Sequence, residues 1–210
     1  MQKNRRLFIC GAAGTGKTTL AKAVSERMGI PFVASSASDI WPDFGFKDHA
    51  DALLKCHNDP VLGWEYQTAI LNRRENLLNQ HDEFITDRTP FDAFTYFLIE
   101  NAHNIDSVHL EEFRLRCHHL ARMANQVVFL PHGDWIKTEE NGKRIANRGF
   151  NFMVTGIMRA VLRDDYLNIL NHPEHKYTVM GINYWDLEKR IKHVQYFIEQ
   201  PSVMDSKWTL

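Results

Sequence analysis

Several features are scarce in this chain of 210 residues. It has only three cysteines, Cys10, Cys56 and Cys117, and their wide spacing suits neither a disulfide framework nor a set of metal ligands. No apolar run approaches the roughly 20 residues that cross a bilayer, and the run after the basic N-terminus stops at Cys10, which is too short for a signal peptide. We therefore expect no membrane attachment and a location in a reducing cytoplasm.

An excess of charge of either sign is also missing. The chain has 25 Lys and Arg against 26 Asp and Glu, which gives a formal net charge of −1. A protein that coats nucleic acid by phosphate contacts is usually more basic. The net charge does not exclude a local basic groove. Hydrophobic residues make up 44% of the chain, enough for a sizeable core. We expect one domain over residues 1–210 with a small inserted cover.

Short apolar runs alternate with helical patterns along the chain. The runs are continuous rather than alternating, which is typical of parallel strands buried on both faces of a sheet. The sequence therefore predicts an α/β fold. The predicted strands are 7–10, 31–34, 83–86, 127–130 and 177–180, and the predicted helices are 17–28, 61–80, 91–100, 110–125, 150–170 and one from residue 187.

A glycine-rich segment lies between the first strand and the first helix. Residues 11–18, Gly-Ala-Ala-Gly-Thr-Gly-Lys-Thr, match G-x-x-x-x-G-K-[ST], whose backbone N–H groups surround phosphate oxygens at a helix N-terminus. The ammonium of Lys17 can reach the terminal phosphates, and the hydroxyl of Thr18 can bind Mg²⁺. GTP is disfavoured because no N-K-x-D motif is present. The predicted ATP contacts are Gly11, Ala13, Gly14, Thr15, Gly16, Lys17, Thr18 and Thr19.

An acidic residue ends the third predicted strand. Ligands bind at the carboxyl ends of parallel strands, so Asp87 is a candidate for holding Mg²⁺ or accepting a proton. Arg88 follows it and can bind an anionic acceptor through two N–H groups, and Asp92 lies where it can orient Arg88. The alternative is that Asp87 caps the next helix and Arg88 makes a surface ion pair.

Read with the glycine-rich loop, residues 87–96 (Asp-Arg-Thr-Pro-Phe-Asp-Ala-Phe-Thr-Tyr) resemble the phage and bacterial P-loop kinases of the AAA_28 type. That group is similar to nicotinamide riboside, thymidylate and deoxynucleoside kinases, and includes phage enzymes that phosphorylate 5-hydroxymethyluracil in DNA. The resemblance implies a three-layer fold with five parallel strands in the order 2-3-1-4-5. It implies roles for Lys17 and Thr18 with ATP and Mg²⁺, for Asp87 as metal-side or base carboxylate, and for Arg88 at the acceptor.

The resemblance also implies a general base just after the second strand. Asp39 is the first candidate and Asp43 the second, with an ordinary loop acid as the alternative for Asp39. Both lie in a predicted loop, residues 35–46, that also holds three aromatic side chains. These aromatic residues suit either stacking on a base or core packing: Trp41, Phe44 and Phe46.

A basic segment follows the fourth predicted strand. Kinases use an arginine-bearing lid to neutralise the transferred phosphoryl group and exclude water, and we place this lid at about residues 131–165. Arg144 and Arg148 are its candidate catalytic residues. Arg159 and Arg163 stand four apart on the next helix, where either phosphates or a neighbouring carboxylate would relieve their repulsion.

The sequence thus predicts a kinase that transfers the γ-phosphate of ATP. The acceptor is a free nucleoside or nucleotide, or a 5-hydroxymethyl pyrimidine in phage DNA, in which case the cytoplasm is that of a bacterial host. The sequence does not exclude a homodimer. An ATP-binding sensor or regulatory ATPase is the main alternative, and a motor-type ATPase is disfavoured because no second helical domain for ring assembly is visible.

Overall fold

A computed structural model describes residues 5–101, 103–133, 148–168 and 178–200. Within these ranges four parallel strands form one sheet in the order β2-β1-β3-β4. Phe8 pairs with Thr86 on one side and with Val127 on the other, so the strands end at a common edge. The strands are β1 (Arg6–Gly11), β2 (Phe84–Thr86), β3 (Gln126–Leu130) and β4 (Thr178–Gly181).

The expectation of five strands is wrong for the second predicted strand. Residues 31–34 form only an isolated parallel bridge, between Phe32 and Ile85. The Ile85 N–H donates to the Pro31 carbonyl at 2.8 Å, and the Val33 N–H donates to the Ile85 carbonyl at 2.9 Å. Proline has no N–H to extend the ladder, so the segment runs beside β2 without becoming a strand. Its side of the sheet agrees with the predicted order.

Helices cover both faces of the sheet. Helices α1 and α7 contact each other on one face, while α4 packs against α3, α5 and α6 on the other. This arrangement is the three-layer α/β architecture that the alternating pattern predicts. The helices are α1 (Lys17–Met28), α2 (His49–Asn58), α3 (Pro60–Leu78), α4 (Pro90–Asn101), α5 (Ser107–Ala121), α6 (Arg148–Arg163) and α7 (Leu187–Glu199).

Strand β1 separates two hydrophobic cores. Leu7 and Ile9 pack with residues of α1 and α7, whereas Phe8 and Cys10 pack with the phenylalanines of α4 and α5. Successive side chains of a strand point to opposite faces, so a continuous apolar run supplies both cores at once. The continuous character of this run is therefore what places β1 at the centre of the sheet.

Helix α2 and two short 3₁₀ turns, none of which the sequence predicted, pack against α3. Residues 35–46 contain turns at Ala37–Ile40 and Pro42–Phe44, and α2 begins after Asp48, which accepts the N–H of Asp51 at 2.9 Å. Phe46 is buried in a third core with Tyr66 of α3, so core packing is the correct interpretation for this aromatic residue.

Helix α6 begins inside the segment predicted as a lid. It starts at Arg148 rather than residue 150, and ends at Arg163 rather than residue 170. Arg148 is therefore helical and not part of a loop, which corrects its predicted setting. Arg144 lies outside the described residues. Across the described ranges, no helix is both long enough and apolar enough to cross a membrane.

We predict that Gly63→Ala destabilises the protein by about 1–3 kcal/mol through overpacking. A Cβ at this α3 position would lie 2.5 Å from the Asn101 side-chain oxygen and 3.3 Å from the Cβ of Cys56. Gly156→Ala in α6 is the matched control, because its Cβ would meet nothing within 4 Å. The control should be neutral or stabilising by up to about 1 kcal/mol. Equal effects of both variants in urea unfolding would contradict the prediction.

Candidate functional site

The phosphate-binding loop (residues 11–18) adopts the conformation that its glycines predict. Gly14 and Gly16 have φ values of 79° and 87°, in the left-handed region that favours glycine. Gly11 has φ 149°, and a Cβ there would clash with the Leu130 carbonyl oxygen of β3. The loop therefore fits tightly against the neighbouring strand before α1 begins at Lys17.

Lys17 is held inside the loop. Its ammonium donates to the carbonyl oxygens of Gly11 and Ala12 at 2.5 and 2.9 Å, and it lies 3.8 Å from the carboxylate of Asp92. The side chain is almost fully buried, and this burial lowers the pKa of Lys17 in spite of the nearby Asp92. A phosphate entering the loop would replace the two carbonyl contacts of the ammonium and add negative charge beside it.

The structure brings together the two predicted Mg²⁺ ligands. The Thr18 hydroxyl donates a short hydrogen bond to the carboxylate of Asp87, which is buried at the end of β2. Two hard oxygen ligands beside a phosphate site are what Mg²⁺ prefers, since it usually completes its shell with water and substrate phosphates. Among the described residues, no group of three or more His, Cys, Asp or Glu side chains could hold a metal ion.

Asp92 has a different role from the predicted one. Its carboxylate accepts hydrogen bonds from the N–H and the hydroxyl of Thr89, at 3.0 and 2.5 Å, and from the N–H of Gly11 at 3.4 Å. It therefore caps α4 and supports the phosphate-binding loop. It does not orient Arg88, whose guanidinium makes no hydrogen bond or ion pair with the described residues.

Three cations lie near the phosphate-binding loop: Lys17, Arg74 and Arg88. Arg74 of α3 is buried, and burial together with the charge of Arg88 lowers its pKa to about 10. Lys17 experiences the charge of Arg88 as well. The two neighbouring carboxylates, Asp87 and Asp92, leave one positive charge unbalanced, which favours an anionic ligand. Arg74 was missed, although it lies on the same helical face as Leu71 and Leu78 and so was predictably buried.

A cavity of about 460 Å³ opens from the phosphate-binding loop. Loop residues 13–19 line one end with Asp87 and Arg88, and α2, α3 and α4 form the walls. Of the three loop aromatic residues, Trp41 lines this cavity, and its indole N–H donates to the Tyr66 hydroxyl at 2.8 Å. The stacking interpretation therefore remains open for Trp41 alone.

Polar residues line the cavity wall on α3 and α4. The Gln67 amide donates to the Glu100 carboxylate at 3.3 Å, and Asn101 stands beside this pair. Burial raises the pKa of Glu100 to about 7. No cation within the described residues pairs with Glu100, so this carboxyl group and its amide partner are available to a ligand. Neither Gln67 nor Glu100 was predicted from the sequence.

The predicted general bases lie elsewhere. The Asp39 carboxylate accepts the backbone N–H of Ser36 at 3.1 Å and lies 3.6 Å from Arg73, and it does not line the cavity. This arrangement is a capping box within the Ala37–Ile40 turn. Asp43 is exposed. The base role of Asp39 stays a prediction that would require movement of this turn.

The structure does not bring the described lid arginines into the cavity. Arg148 and Arg159 are exposed on α6, and neither is among the residues that line the cavity. Arg163 makes an exposed ion pair with Asp164 at 2.8 Å, which is the surface pairing that the sequence left as an alternative. A catalytic role of Arg148 would need a change in its position and stays a prediction.

Two residues after β4 support the phosphate-binding loop and were not predicted. Arg190 of α7 is buried, donates to the Thr15 carbonyl at 2.8 Å and to the Tyr184 carbonyl, and lies 5.1 Å from the Trp185 ring. Trp185 is half exposed and lines the cavity beside Gly16. No local sequence motif could reveal this contact, which joins residues 175 apart.

If the chain has the ATP-dependent activity that its sequence predicts, Arg190→Gln should raise the KM for ATP about tenfold with a smaller effect on kcat, because the Thr15 carbonyl loses its fixed donor. Arg27→Gln is the matched control, since Arg27 also joins α1 to α7 but through an exposed ion pair with Glu188 at 3.1 Å. The control should leave the KM unchanged. Steady-state kinetics that show the same KM for both variants would rule out a positioning role.

We predict that Glu100 makes stability depend on pH. Its folded pKa of about 7 exceeds the ordinary 4.5, so the folded protein binds more protons in this window and loses stability as pH rises through it. Glu100→Gln should abolish this loss, which is about 3 kcal/mol. Glu83→Gln is the control. Hydrogen bonding to Arg5 lowers the Glu83 pKa, so this variant should change the pH dependence of stability only below pH 4.5. An unchanged pH profile in Glu100→Gln would contradict the assignment.

Comparisons with known proteins agree with this geometry. The sequence model of the AAA_28 family, described as an AAA domain, matches residues 6–152. Cytidylate kinase from Methanothermobacter thermautotrophicus is 35% identical over 81 residues, which cover 39% of this chain and 48% of that enzyme. The chain thus aligns with about half the length of this curated relative.

Solved structures share the fold at low identity. Deoxyadenosine kinase from M. mycoides, with dCMP and a flexible dCDP bound, has a TM-score of 0.64 and 12% identity, over 93% of this chain and 99% of that one. NadR in complex with NR has a TM-score of 0.59 and 14% identity, over 98% of this chain and 53% of that one. The resemblance inferred from the two motifs is confirmed: the chain belongs to the AAA_28 family of P-loop domains and has the fold of the nucleoside and nucleotide kinases.

Proposed function

We propose that this protein is an ATP-dependent kinase for a free nucleoside or nucleotide. The observation that carries the proposal is a single cavity with a phosphate-binding loop at one end and the polar pair Gln67–Glu100 on its wall. Such a cavity can hold a phosphate donor and a small acceptor in contact. Bringing both substrates together in a fixed geometry is the main requirement for phosphoryl transfer.

The donor end is supplied by the loop and by Lys17. The loop leads directly into the N-terminus of α1, where backbone N–H groups without a helical acceptor and the helix dipole favour phosphate. The ammonium of Lys17 can exchange its carbonyl contacts for phosphate oxygens. Trp185 lies beside the loop with an exposed ring face and is placed to stack on the base of ATP.

The transferring phosphoryl group lies, in this proposal, between Lys17 and Arg88. Thr18 and Asp87 would hold Mg²⁺, which would neutralise charge on the phosphate oxygens. Arg88, whose guanidinium has no partner among the described residues, binds the anionic group at the acceptor side. Asp87 lines the cavity and, if it does not bind Mg²⁺ directly, is our candidate for accepting the proton of the attacking hydroxyl, with Asp39 as the alternative.

The size of the cavity favours a free acceptor over DNA. A volume of about 460 Å³ falls within the range of small-molecule sites, and helices α2, α3 and α4 wall it in. The near-neutral charge of the chain gives little support to a long phosphate backbone. A 5-hydroxymethyl pyrimidine in DNA is therefore the second candidate acceptor.

The Gln67–Glu100 pair suggests an acceptor base that carries an amino group. A carboxylate accepts hydrogen bonds from an exocyclic amine, and the amide of Gln67 can serve the adjacent ring nitrogen. Adenine and cytosine present such a donor and acceptor side by side, whereas thymine presents oxygens on both sides of its N–H. The bound dCMP of the deoxyadenosine kinase is consistent with this preference.

The test is transfer of radiolabelled γ-phosphate from ATP to a panel of acceptors. The panel contains deoxyadenosine, deoxycytidine, thymidine, their monophosphates, nicotinamide riboside and DNA with 5-hydroxymethyluracil. Labelled product from an amino-bearing nucleoside or nucleotide is expected. Label found only in free phosphate would refute the kinase, and labelled DNA with a steep salt dependence would favour the DNA acceptor.

We predict that Arg88→Ala lowers kcat for this transfer by about 10²–10³-fold, because one charge-stabilising contact to the phosphoryl group is lost. ATP affinity should change by less than about threefold, since the loop and Lys17 are intact. Arg116→Ala is the control, because Arg116 is exposed and bonds only Asn72 at 3.0 Å among the described residues. An ATP-binding sensor without transferase activity would tolerate Arg88→Ala. Unaltered ATP binding in this variant, with no transfer by either protein, would support that alternative.

A further inference from the structure

Asn151 is a buried amide that the mechanism above does not use. It lies in the first turn of α6 with no solvent-exposed area, and it lines the same cavity as the phosphate-binding loop. Neither its side-chain nitrogen nor its oxygen has a hydrogen-bond partner in the described part of the chain. An amide left in this state costs about 1–3 kcal/mol for each unsatisfied group, so an occupant that bonds it would be strongly favoured.

The surroundings of Asn151 place it opposite the phosphate-binding loop. Its neighbour Phe150 has its ring 6.4 Å from that of Tyr96, whose hydroxyl faces the backbone N–H of Ala13. One turn further along α6, the Thr155 hydroxyl accepts the N–H of His132, just beyond β3. The start of α6 therefore lies over the carboxyl ends of β1 and β3, on the edge of the sheet where phosphates bind.

The first turn of α6 also favours negative charge. The N–H groups of the first turn have no acceptor within their own helix, and the helix dipole gives this end a partial positive charge. Phe150 and Asn151 both line the cavity, so this turn faces the space in which the donor and acceptor would meet. A helix N-terminus and an unpartnered donor amide thus converge on one place.

We propose that Asn151, with the N-terminal turn of α6, binds a phosphoryl oxygen across the cavity from the phosphate-binding loop. The amide N–H groups donate to that oxygen. The phosphoryl oxygen comes either from the γ-phosphate of ATP or from a monophosphate acceptor. This inference rests on the proposed function for its choice of substrates, but the binding itself does not require turnover.

The test compares Asn151→Leu and Asn151→Asp in the full chain by calorimetric titration. The probes are the Mg²⁺ complex of the non-hydrolysable analogue AMP-PNP, dCMP, and deoxycytidine as the probe without phosphate. Asn151→Leu should weaken a phosphorylated probe about tenfold, and Asn151→Asp should weaken it further by repulsion. Deoxycytidine binding should stay the same. Loss for AMP-PNP identifies ATP as the source, and loss for dCMP alone identifies the acceptor.

Unfolding of the ligand-free variants gives a second readout. Asn151→Leu should leave stability unchanged or raise it, because an unsatisfied amide is replaced by an apolar side chain of similar shape. Gln126→Leu is the matched control, since this buried amide donates to the Phe197 carbonyl at 2.5 Å and its loss should destabilise the protein. A readout of this kind separates a ligand-binding amide from one that supports the fold.

Unchanged affinity for both phosphorylated probes overturns the proposal, whatever the stability of the variants. In that case Asn151 is an amide served by ordered water. The proposed kinase activity can fail separately: if no acceptor becomes labelled while Asn151→Leu still weakens AMP-PNP, the phosphate contact stands and the transferase does not.

Discussion

The site depends on one buried carboxylate. Asp92 caps α4 through Thr89, accepts the N–H of Gly11 and faces Lys17 at 3.8 Å. These contacts join the loop after β1 to the loop after β2, so they fix the distance between the phosphate-binding loop and Asp87. Removing one partner of a buried ion pair strands the other charge, which costs several kcal/mol. The meeting of Thr18 with Asp87 therefore rests on Asp92, which binds neither substrate in our proposal.

Around this carboxylate the protein keeps a surplus of positive charge. Burial lowers the pKa values of Lys17 and Arg74, which means that the folded chain holds these cations at a cost. The guanidinium of Arg88 adds to this cost by like-charge repulsion. A phosphate ligand with its metal offsets it, so binding and stability are linked. The ligand-free site is thus a strained electrostatic arrangement that an anion would relieve.

Several buried polar atoms around the cavity lack a hydrogen-bond partner. Arg74, Asn151 and Arg190 each have a buried polar atom without a partner in the described residues. Arg74 and Asn151 line the cavity, and Arg190 lies directly behind the phosphate-binding loop. Natural proteins satisfy almost all buried polar groups, and exceptions concentrate where function requires them. Similar atoms occur elsewhere among the described residues, for example in Thr68 and Thr95, so it is the coincidence of unpartnered groups with surplus positive charge that marks the cavity.

The sequence by itself determined what depends on near neighbours. The loop at residues 11–18, the strand run of β1 and the pair Asp87–Arg88 were readable because their geometry follows from glycine conformations and from the period of apolar residues. Tertiary structure decided the rest. Residues 31–34 form a single bridge instead of a strand, and Asp39 forms a capping box. Asp92 binds Thr89 instead of Arg88. It also assembled the contacts that cross the chain: Gln67 with Glu100, and Arg190 with Thr15. Such contacts leave no local pattern, because packing alone brings distant side chains together.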